Sequence, residues 1–217
     1  MDKKILSLES VRIDYSKKAN FDLEKPPQDP FFLFKDWYNL ASNENIKDVN
    51  AMSLSTIDKD NFPQTRQVLL KKMNELGFIF FTNYGSNKSQ EILCNDKVSL
   101  NFFWRDLERQ IRIVGYASKI PVEESKEYFL SRPKDSQIAA IISHQSKKLS
   151  SKSELIEKYN EYKSKYEDTD IDFPSYWGGF IVKPLKFEFW QGAESRLHDR
   201  LLYTKNNKGW NVSLLWP

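Results

Sequence analysis

The sequence predicts a mainly β chain with helices inserted, its strands antiparallel and arranged as a barrel. Three observations predict it. Apolar runs of strand length recur in consecutive pairs joined by turn residues, which is the pattern of hairpins. Helical periodicity is confined to a few separate segments between those pairs. The chain has only 7 glycines and neither a dinucleotide fingerprint nor a phosphate-loop motif, so the glycine-rich turn of the parallel nucleotide folds is missing.

Taken in order, residues 1–28 are polar, with Arg12-Ile13-Asp14-Tyr15 and a basic pair at Lys17-Lys18, and read as a flexible tail. Asp29-Pro30 is a helix start, a cap followed by a first-turn proline. Phe31, Phe34, Trp37, Tyr38 and Ala41 then recur at helical spacing. Ala51 to Asp58 lacks a helical period and reads as a strand. The turn residues 58–63 lead into a second strand, Gln64 to Met73, which completes a hairpin. Residues 74–77 turn again into Phe78-Ile79-Phe80-Phe81-Thr82, a strand too apolar to be exposed on both faces. Gly85-Ser86 breaks it, and Ser86 caps a short helix to about Asn95. Val98 to Trp104 and Glu108 to Ile120 make another strand pair.

Helical sequence follows at Val122 to Leu130, Ser136 to Ile142 and Ser151 to Tyr166. In the last of these, Leu155, Ile156, Tyr159 and Tyr162 form the apolar stripe. Gly179 to Val182 and Lys186 to Gln191 return to strand. Leu197 to Thr204 and Trp210 to Leu215 form a final hairpin around Asn206-Asn207-Lys208-Gly209. No repeat and no linker divides the chain, so residues 29–217 are expected to form a single domain.

Composition excludes several classes. At 217 residues the chain can bury a sizeable core, and 14% aromatic content, with 15 Phe and 6 Trp, excludes disorder over most of it. The net charge of +3, from 33 basic and 30 acidic residues, is too even to argue for nucleic acid or an anionic membrane as the main partner. Cys94 is the only cysteine, so no intrachain disulfide and no cysteine-based zinc site is possible, and no metal site is expected. The N-terminus is polar and no apolar run approaches 18 residues, so the chain reads as cytoplasmic. A nucleotide-type cofactor would have to be held by side chains and helix ends.

Several residues then stand out chemically. From Phe187 to Arg200 an alternating strand meets Gly192, which permits a bend, and runs into Arg196, His198, Asp199 and Arg200. If the chain is extended again, Arg196, His198 and Arg200 share a face, suited to a phosphate; a solvated turn is the alternative. Arg66 and Lys71 flank an apolar strand at an odd separation, which puts them on opposite faces. A bulge, or two parts of a ligand at two faces, would reconcile them, and both stay open. Lys88 lies in the first turn of the helix after Gly85-Ser86, where the free N–H groups and the dipole favour an anion. Tyr128 and Arg132 are four apart on one helical face, with Ser136 after the Pro133 break, a trio suited to a phosphate monoester. The alternative is an arginine complementing a helix C-terminus. His198, flanked by Arg196 and Arg200, is expected to be held neutral at pH 7 by like charge.

Trp190-Gln191-Gly192 followed by Arg196-Leu197-His198-Asp199-Arg200 resembles the C-terminal signature of the pyridoxamine (pyridoxine) 5'-phosphate oxidase family, flavin mononucleotide (FMN) enzymes of vitamin B6 metabolism. Arg66-Gln67-Val68-Leu69-Leu70-Lys71, Phe81-Thr82-Asn83, the run Ser131 to Gln137, Gln145-Ser146 and the run Pro174 to Gly179 resemble further family blocks in the same order. The similarity spans about Arg12 to Pro217. It implies an FMN-binding split β-barrel, built as a homodimer with the flavin at the subunit interface. The implied reaction oxidises pyridoxamine or pyridoxine 5'-phosphate with O2 to pyridoxal 5'-phosphate and hydrogen peroxide.

By the same resemblance the cofactor is contacted by Arg66, Gln67, Val68, Leu69, Leu70, Lys71, Phe81, Thr82, Asn87, Lys88, Gln110, Gln145, Ser146, Trp190 and Arg200. The substrate is contacted by Arg12, Tyr15, Lys71, Tyr128, Arg132, Ser136, Arg196, Leu197 and His198. Arg196 and His198 carry the catalytic role, and residues 1–28 include a lid closed by Arg12 and Tyr15. Two departures are visible: Asn87 where the family commonly has arginine, and Ile13 where many relatives carry a basic residue. Two other readings stay open, a non-catalytic FMN or pyridoxal phosphate binder and a nicotinamide-dependent flavin reductase.

Overall fold

Residue 15 and residues 23–217 are described in the computed structural model. Asp29 starts the first helix, α1 (Pro30–Asn43), in the expected way: its carboxylate accepts from the Phe31 N–H and Pro30 fills the first turn. The helix buries Leu33, Phe34, Trp37 and Ala41.

The described residues form two units interleaved along the chain. One takes residues up to Val49 with Phe103–Arg112 and Phe187–Pro217; the other takes Asn50–Phe102 and Ile113–Lys186. In the first, β8 (Asp199–Asn206) pairs antiparallel with β9 (Gly209–Leu214) and also with the C-terminal part of β7 (Trp177–Gln191). Its core is aromatic. Phe189 meets Trp37 edge-on at 5.2 Å and Tyr203 at 5.7 Å, and the buried Tyr203 hydroxyl donates to the Pro27 carbonyl at 2.8 Å. Such edge-to-face pairs add to plain burial.

In the second unit the strands are β1 (Ala51–Ile57), β2 (Pro63–Leu69), β3 (Lys72–Asn74), β4 (Gly77–Asn83), β5 (Lys97–Trp104) and β6 (Arg109–Lys119), completed by β7. Their order is β2-β1-β5-β6-β7-β4-β3, and the β1–β2, β1–β5, β3–β4 and β4–β7 pairs are antiparallel. Helices α2 (Asn87–Cys94), α3 (Val122–Leu130), α4 (Lys134–Ile142) and α5 (Lys152–Lys165) are inserted between strands. The class is the expected one, antiparallel β with helices inserted. Among the described residues no helix is long and apolar enough to cross a membrane.

Four expectations about elements need correction. The strand Gln64 to Met73 is two strands. Leu70 N–H bonds to Asn50 O at 2.8 Å and Lys71 N–H to Ile79 O at 2.9 Å, so the chain changes partner from the β1 side to β4 at this point. The two strands placed at Gly179–Val182 and Lys186–Gln191 are one strand of 15 residues. Pro184 withholds one N–H without ending it, and Gly115 leaves room beside it, because a Cβ there would lie 2.2 Å from the Lys183 carbonyl oxygen. The last hairpin begins at Asp199 rather than Leu197, because Ser195 (φ 54°) and Arg196 (φ 62°) turn through the left-handed region just before it. On α5, Leu155, Tyr159 and Tyr162 pack inward but Ile156 is exposed.

What α5 packs against is a cluster of Phe129, Ile138, Ile142, Ile171 and Trp177, which ties α3 and α4 to the start of β7. Phe129 is fully buried, edge-on to Trp177 at 5.3 Å and to Phe173 at 5.7 Å. Truncating such a ring leaves a cavity the neighbours only partly fill. Phe129→Ala is therefore expected to lose about 3–5 kcal/mol of stability, read by urea unfolding at fixed protein concentration. A loss under about 1 kcal/mol would mean the cluster does not hold these helices in place.

Candidate functional site

A cavity of about 540 Å³ opens in the second unit. Its wall comes from the end of β2 and the partner switch (Gln67, Val68, Leu69, Lys71), from β4 (Phe81, Thr82, Asn83) and from Lys88 of α2. The rest comes from Tyr128, Arg132, Ser136, Ser143, Gln145 and Trp177. Within the first group Gln67, Val68 and Leu69 are consecutive, and the guanidinium of the preceding Arg66 bonds to Thr56, to the Gln64 carbonyl at 2.9 Å and to Glu91 at 2.9 Å. The β1–β2 register is unbroken but ends at Leu69, and Lys71 lies past it where the chain changes partner, so strand parity does not relate Arg66 to Lys71.

Lys88 is nearly buried, at 9% exposure, and its hydrogen-bond partners among the described residues are neutral oxygens. Nζ donates to Gln145 Oε1 at 2.9 Å and Thr82 Oγ1 at 3.2 Å, and lies 3.4 Å from Ser86 Oγ. Burial pulls its pKa down to about 8, the nearby Arg66 lowers it further within that value, and Glu91 opposes the shift. The α2 N-terminus has no side-chain cap, because the Ser86 hydroxyl bonds to Ser89 Oγ at 3.0 Å. Asn87 N–H instead donates to Ser146 Oγ at 3.2 Å, with Ser146 held at φ 70°. A buried ammonium beside a helix N-terminus and several hydroxyl and amide groups is a place for an anion.

Tyr128, Arg132 and Ser136 also reach this cavity, but not from one helical face as the spacing predicts: α3 ends at Leu130 and Arg132 lies past its C-cap, Ser131. Tyr128 stacks on Phe81 with centroids 4.0 Å apart, and Phe81 stacks on Trp177 at 5.4 Å. The Arg132 guanidinium lies over Trp177 at 4.9 Å, and its Nη1 is buried with no hydrogen-bond partner among the described residues. A buried guanidinium donor left unmatched marks a position where an acceptor is missing. Ser136 follows on α4, its N–H bonded to the Pro133 carbonyl at 2.9 Å.

The C-terminal candidates belong to the first unit. Tyr15, Trp190 and His198 form an aromatic group with centroid separations of 5.4, 5.5 and 4.8 Å. His198 Nδ1 accepts the Ala193 N–H at 3.1 Å, which requires that nitrogen to be unprotonated. Its pKa is lowered, chiefly by burial and then by Arg196, with Asp199 opposing. The expected direction holds, but burial outweighs the like charge. Arg196 and Leu197 are exposed, and the left-handed turn at residues 195–196 means Arg196, His198 and Arg200 do not share one strand face.

Arg200 donates to Glu188 Oε1 from Nε at 3.1 Å and Nη2 at 2.7 Å, and to the Trp216 carbonyl at 2.8 Å. Gly192 is required for space. A Cβ there would lie 2.9 Å from the Tyr15 ring, and Gly192 N–H bonds to Glu108 O at 2.7 Å. Gln110 is half-buried on β6 and Leu70 is buried at the partner switch. Arg12 lies outside the described residues, as do residues 1–14 and 16–22 of the predicted lid as a whole. Trp177, Asn83 and Ser143 also line the cavity without being candidate site residues of the sequence; Asn83 and Trp177 lie within two of its family blocks, and Ser143 carries no signal there. Glu91 and Glu188 were also missed, since each meets its arginine only through folding.

The chain is similar to known proteins over nearly its whole length. A family model described as pyridoxamine 5'-phosphate oxidase matches residues 41–165, and one described as pyridoxine 5'-phosphate oxidase C-terminal dimerisation region matches residues 177–217. A pyridoxine/pyridoxamine 5'-phosphate oxidase of Aliarcobacter butzleri is 47% identical over 213 residues, 98% of this chain and 100% of the relative. One from Shewanella sediminis is 47% identical over 97% of this chain and 99% of the relative. Among solved structures, PhzG from Burkholderia lata in complex with tetrahydrophenazine-1-carboxylic acid aligns with a TM-score of 0.85 at 25% identity, covering 96% of this chain and 100% of that one. A pyridoxamine 5'-phosphate oxidase-related, FMN binding protein from Nostoc punctiforme shares the fold with a TM-score of 0.69 at 13% identity, covering 90% of this chain and 100% of that one.

The buried ammonium gives a direct test. Followed by NMR of its isotopically methylated amine, Lys88 should titrate near 8 in the free protein. Adding sulfate, whose charge is constant over this range, should raise that value, since a bound anion favours the charged form. Anion affinity should accordingly fall as pH rises through about 8 and the ammonium is lost. A midpoint in the usual lysine range would mean Nζ is solvated and is no anion anchor.

Proposed function

The chain belongs to the pyridoxamine 5'-phosphate oxidase family of oxidoreductases, and from that premise we propose that it oxidises pyridoxamine or pyridoxine 5'-phosphate with O2 to pyridoxal 5'-phosphate, with FMN as cofactor. The observation that carries this reading is that one cavity holds two unmatched cationic groups together with stacked aromatic side chains. One is the Lys88 ammonium with its neutral partners, the other the Arg132 guanidinium with its orphaned donor. FMN and the substrate are both aromatic phosphates, so the pair requires two phosphate positions and flat apolar surface. The residues present fit that requirement.

In this reading Lys88, Thr82, Gln145, Ser146, Arg66 and the α2 N-terminus at Asn87 hold the cofactor phosphate. The chain from Gln67 to Lys71 and Phe81 lie along the flavin, with Gln110, Trp190 and Arg200 as its further contacts. Lys71, Tyr128, Arg132 and Ser136 hold the substrate phosphate, and Arg132 supplies the charge-assisted bonds. Arg196 and His198 serve the reacting carbon of the substrate, where His198, neutral near pH 7, can take up a proton. Arg12, Tyr15 and Leu197 complete the substrate contacts, with residues 1–28 as a lid on a single domain of residues 29–217. When bound, FMN supplies the two-electron acceptor, and O2 takes those electrons on to hydrogen peroxide. What the protein adds is position: two phosphates fixed so that the reacting rings face each other. The match of residues 177–217 to a dimerisation region supports a homodimer, with the flavin at the subunit interface and the enzyme in the cytoplasm.

The test is anaerobic addition of pyridoxine 5'-phosphate to FMN-loaded protein. Bleaching of the flavin, then recovery with pyridoxal 5'-phosphate and peroxide on admitting O2, is the expected result. Bleaching by NADPH alone would make it a reductase, and binding without bleaching a carrier. The two anion positions should also separate by mutation. A lost charge-assisted hydrogen bond costs about 1.5–3 kcal/mol, roughly 10- to 150-fold. Lys88→Ala should weaken FMN binding by about that factor and be largely rescued by saturating FMN. Arg132→Ala should keep its flavin and lose kcat/KM for the phosphorylated substrate by a similar factor, without rescue. Loss of FMN in Arg132→Ala, with normal kinetics once resaturated, would reverse the two assignments.

A further inference from the structure

Glu91 stands on α2 three residues after Lys88, and the reading above gives it no part. Its side chain is only 11% exposed. One carboxylate oxygen accepts from Arg66 Nη2 at 2.9 Å and from the hydroxyl of Thr56, which is fully buried. Arg66 Nη1 closes the triangle by donating to Thr56 Oγ1 and also bonds to the Gln64 carbonyl at 2.9 Å. The carboxylate is thus spent on Arg66, while Lys88 on the same helix keeps neutral partners. Both Arg66 and Glu91 act electrostatically on the Lys88 ammonium, in opposite senses.

The three side chains carry two positive charges and one negative. A phosphate monoester brings close to two negative charges near neutral pH. In so desolvated a cluster the carboxylate's repulsion of that phosphate is weakly screened. We propose that Glu91 is a specificity-determining residue for the cofactor: an internal anion that shares Arg66 with the incoming phosphate and limits how strongly the site prefers FMN over unphosphorylated flavin. This rests on the assignment of the cofactor phosphate to Lys88 and Arg66. The consequence is a site in which part of the cation set is already neutralised before the cofactor arrives, so its preference for the phosphorylated flavin is smaller than the count of cations implies.

Glu91→Gln removes the charge and retains an acceptor oxygen for Arg66 and Thr56. The experiment titrates apoprotein with FMN and with riboflavin by flavin fluorescence, for wild type, Glu91→Gln and Glu91→Asp. The expected result is that Glu91→Gln raises the FMN-to-riboflavin affinity ratio by roughly tenfold, the scale of one partly screened charge interaction, while Glu91→Asp leaves it within about threefold. Should Glu91→Gln fold poorly, Glu91→Ser tests the same charge with the same expected sign. A lower ratio in Glu91→Gln would overturn the inference in favour of Glu91 orienting Arg66 for the phosphate. An equal change for both flavins would overturn it in favour of packing alone. Wild-type protein that binds FMN no more tightly than riboflavin would instead sink the phosphate assignment on which the inference rests.

Discussion

A charged amine taken out of water has to be supported by everything around it, and the Lys88 ammonium is the constraint that organises this site. It sits 9% exposed with hydroxyl and amide oxygens in place of a carboxylate. Each supporting group comes from a different element. Thr82 is carried by β4, Ser86 precedes α2, and Gln145 lies in the segment after α4. The arrangement is costly without an anion and self-consistent with one. That explains why segments far apart in sequence converge here and why each brings an oxygen and no charge.

The second cationic position is built differently. Arg132 is held by faces of rings, since its guanidinium rests over Trp177, which also stacks in line with Phe81 and Tyr128. The same Trp177 belongs to the cluster with Phe129, Ile138 and Ile142. Packing of α3 and α4 and presentation of the arginine are therefore one event: the core that stabilises these helices also sets the angle of this second cation. A planar cation suits this role because it stacks and still offers in-plane donors.

The antiparallel ladder supplies the remaining wall. At Leu70 and Lys71 the chain leaves the β1 side and takes up β4, with each backbone N–H satisfied on the way. Buried backbone polar groups must be paired, so this change of partner is possible only where both neighbours present a carbonyl at once. The result places Lys71 with Phe81 and Thr82 in the cavity wall, while Arg66, before the change of partner, is bonded to Glu91. In the first unit a comparable economy holds the C-terminal segment, where Glu188 binds Arg112 at 3.1 Å and Arg200 at 2.7 Å and one carboxylate aligns two arginines.

By itself the sequence determined whatever depends on short-range periodicity and local chemistry. The antiparallel class, the cap at Asp29 and the full extent of the Val122–Leu130 helix follow from backbone geometry within a few residues. Its ordered motifs also carried the family. Only the tertiary structure decided the contacts between residues far apart in the chain. Nothing local shows that Glu91 closes on Arg66, that Gln145 reaches Lys88, or that Glu188 takes Arg200. Nor does it show that Pro184 leaves β7 unbroken, or that Ser195 and Arg196 turn left-handed and scatter a face that parity alone would align. The physical reason is that charge pairing, burial and strand partnership are settled by which segments meet. Periodicity assigns a residue to a face, but not the partner that face finds.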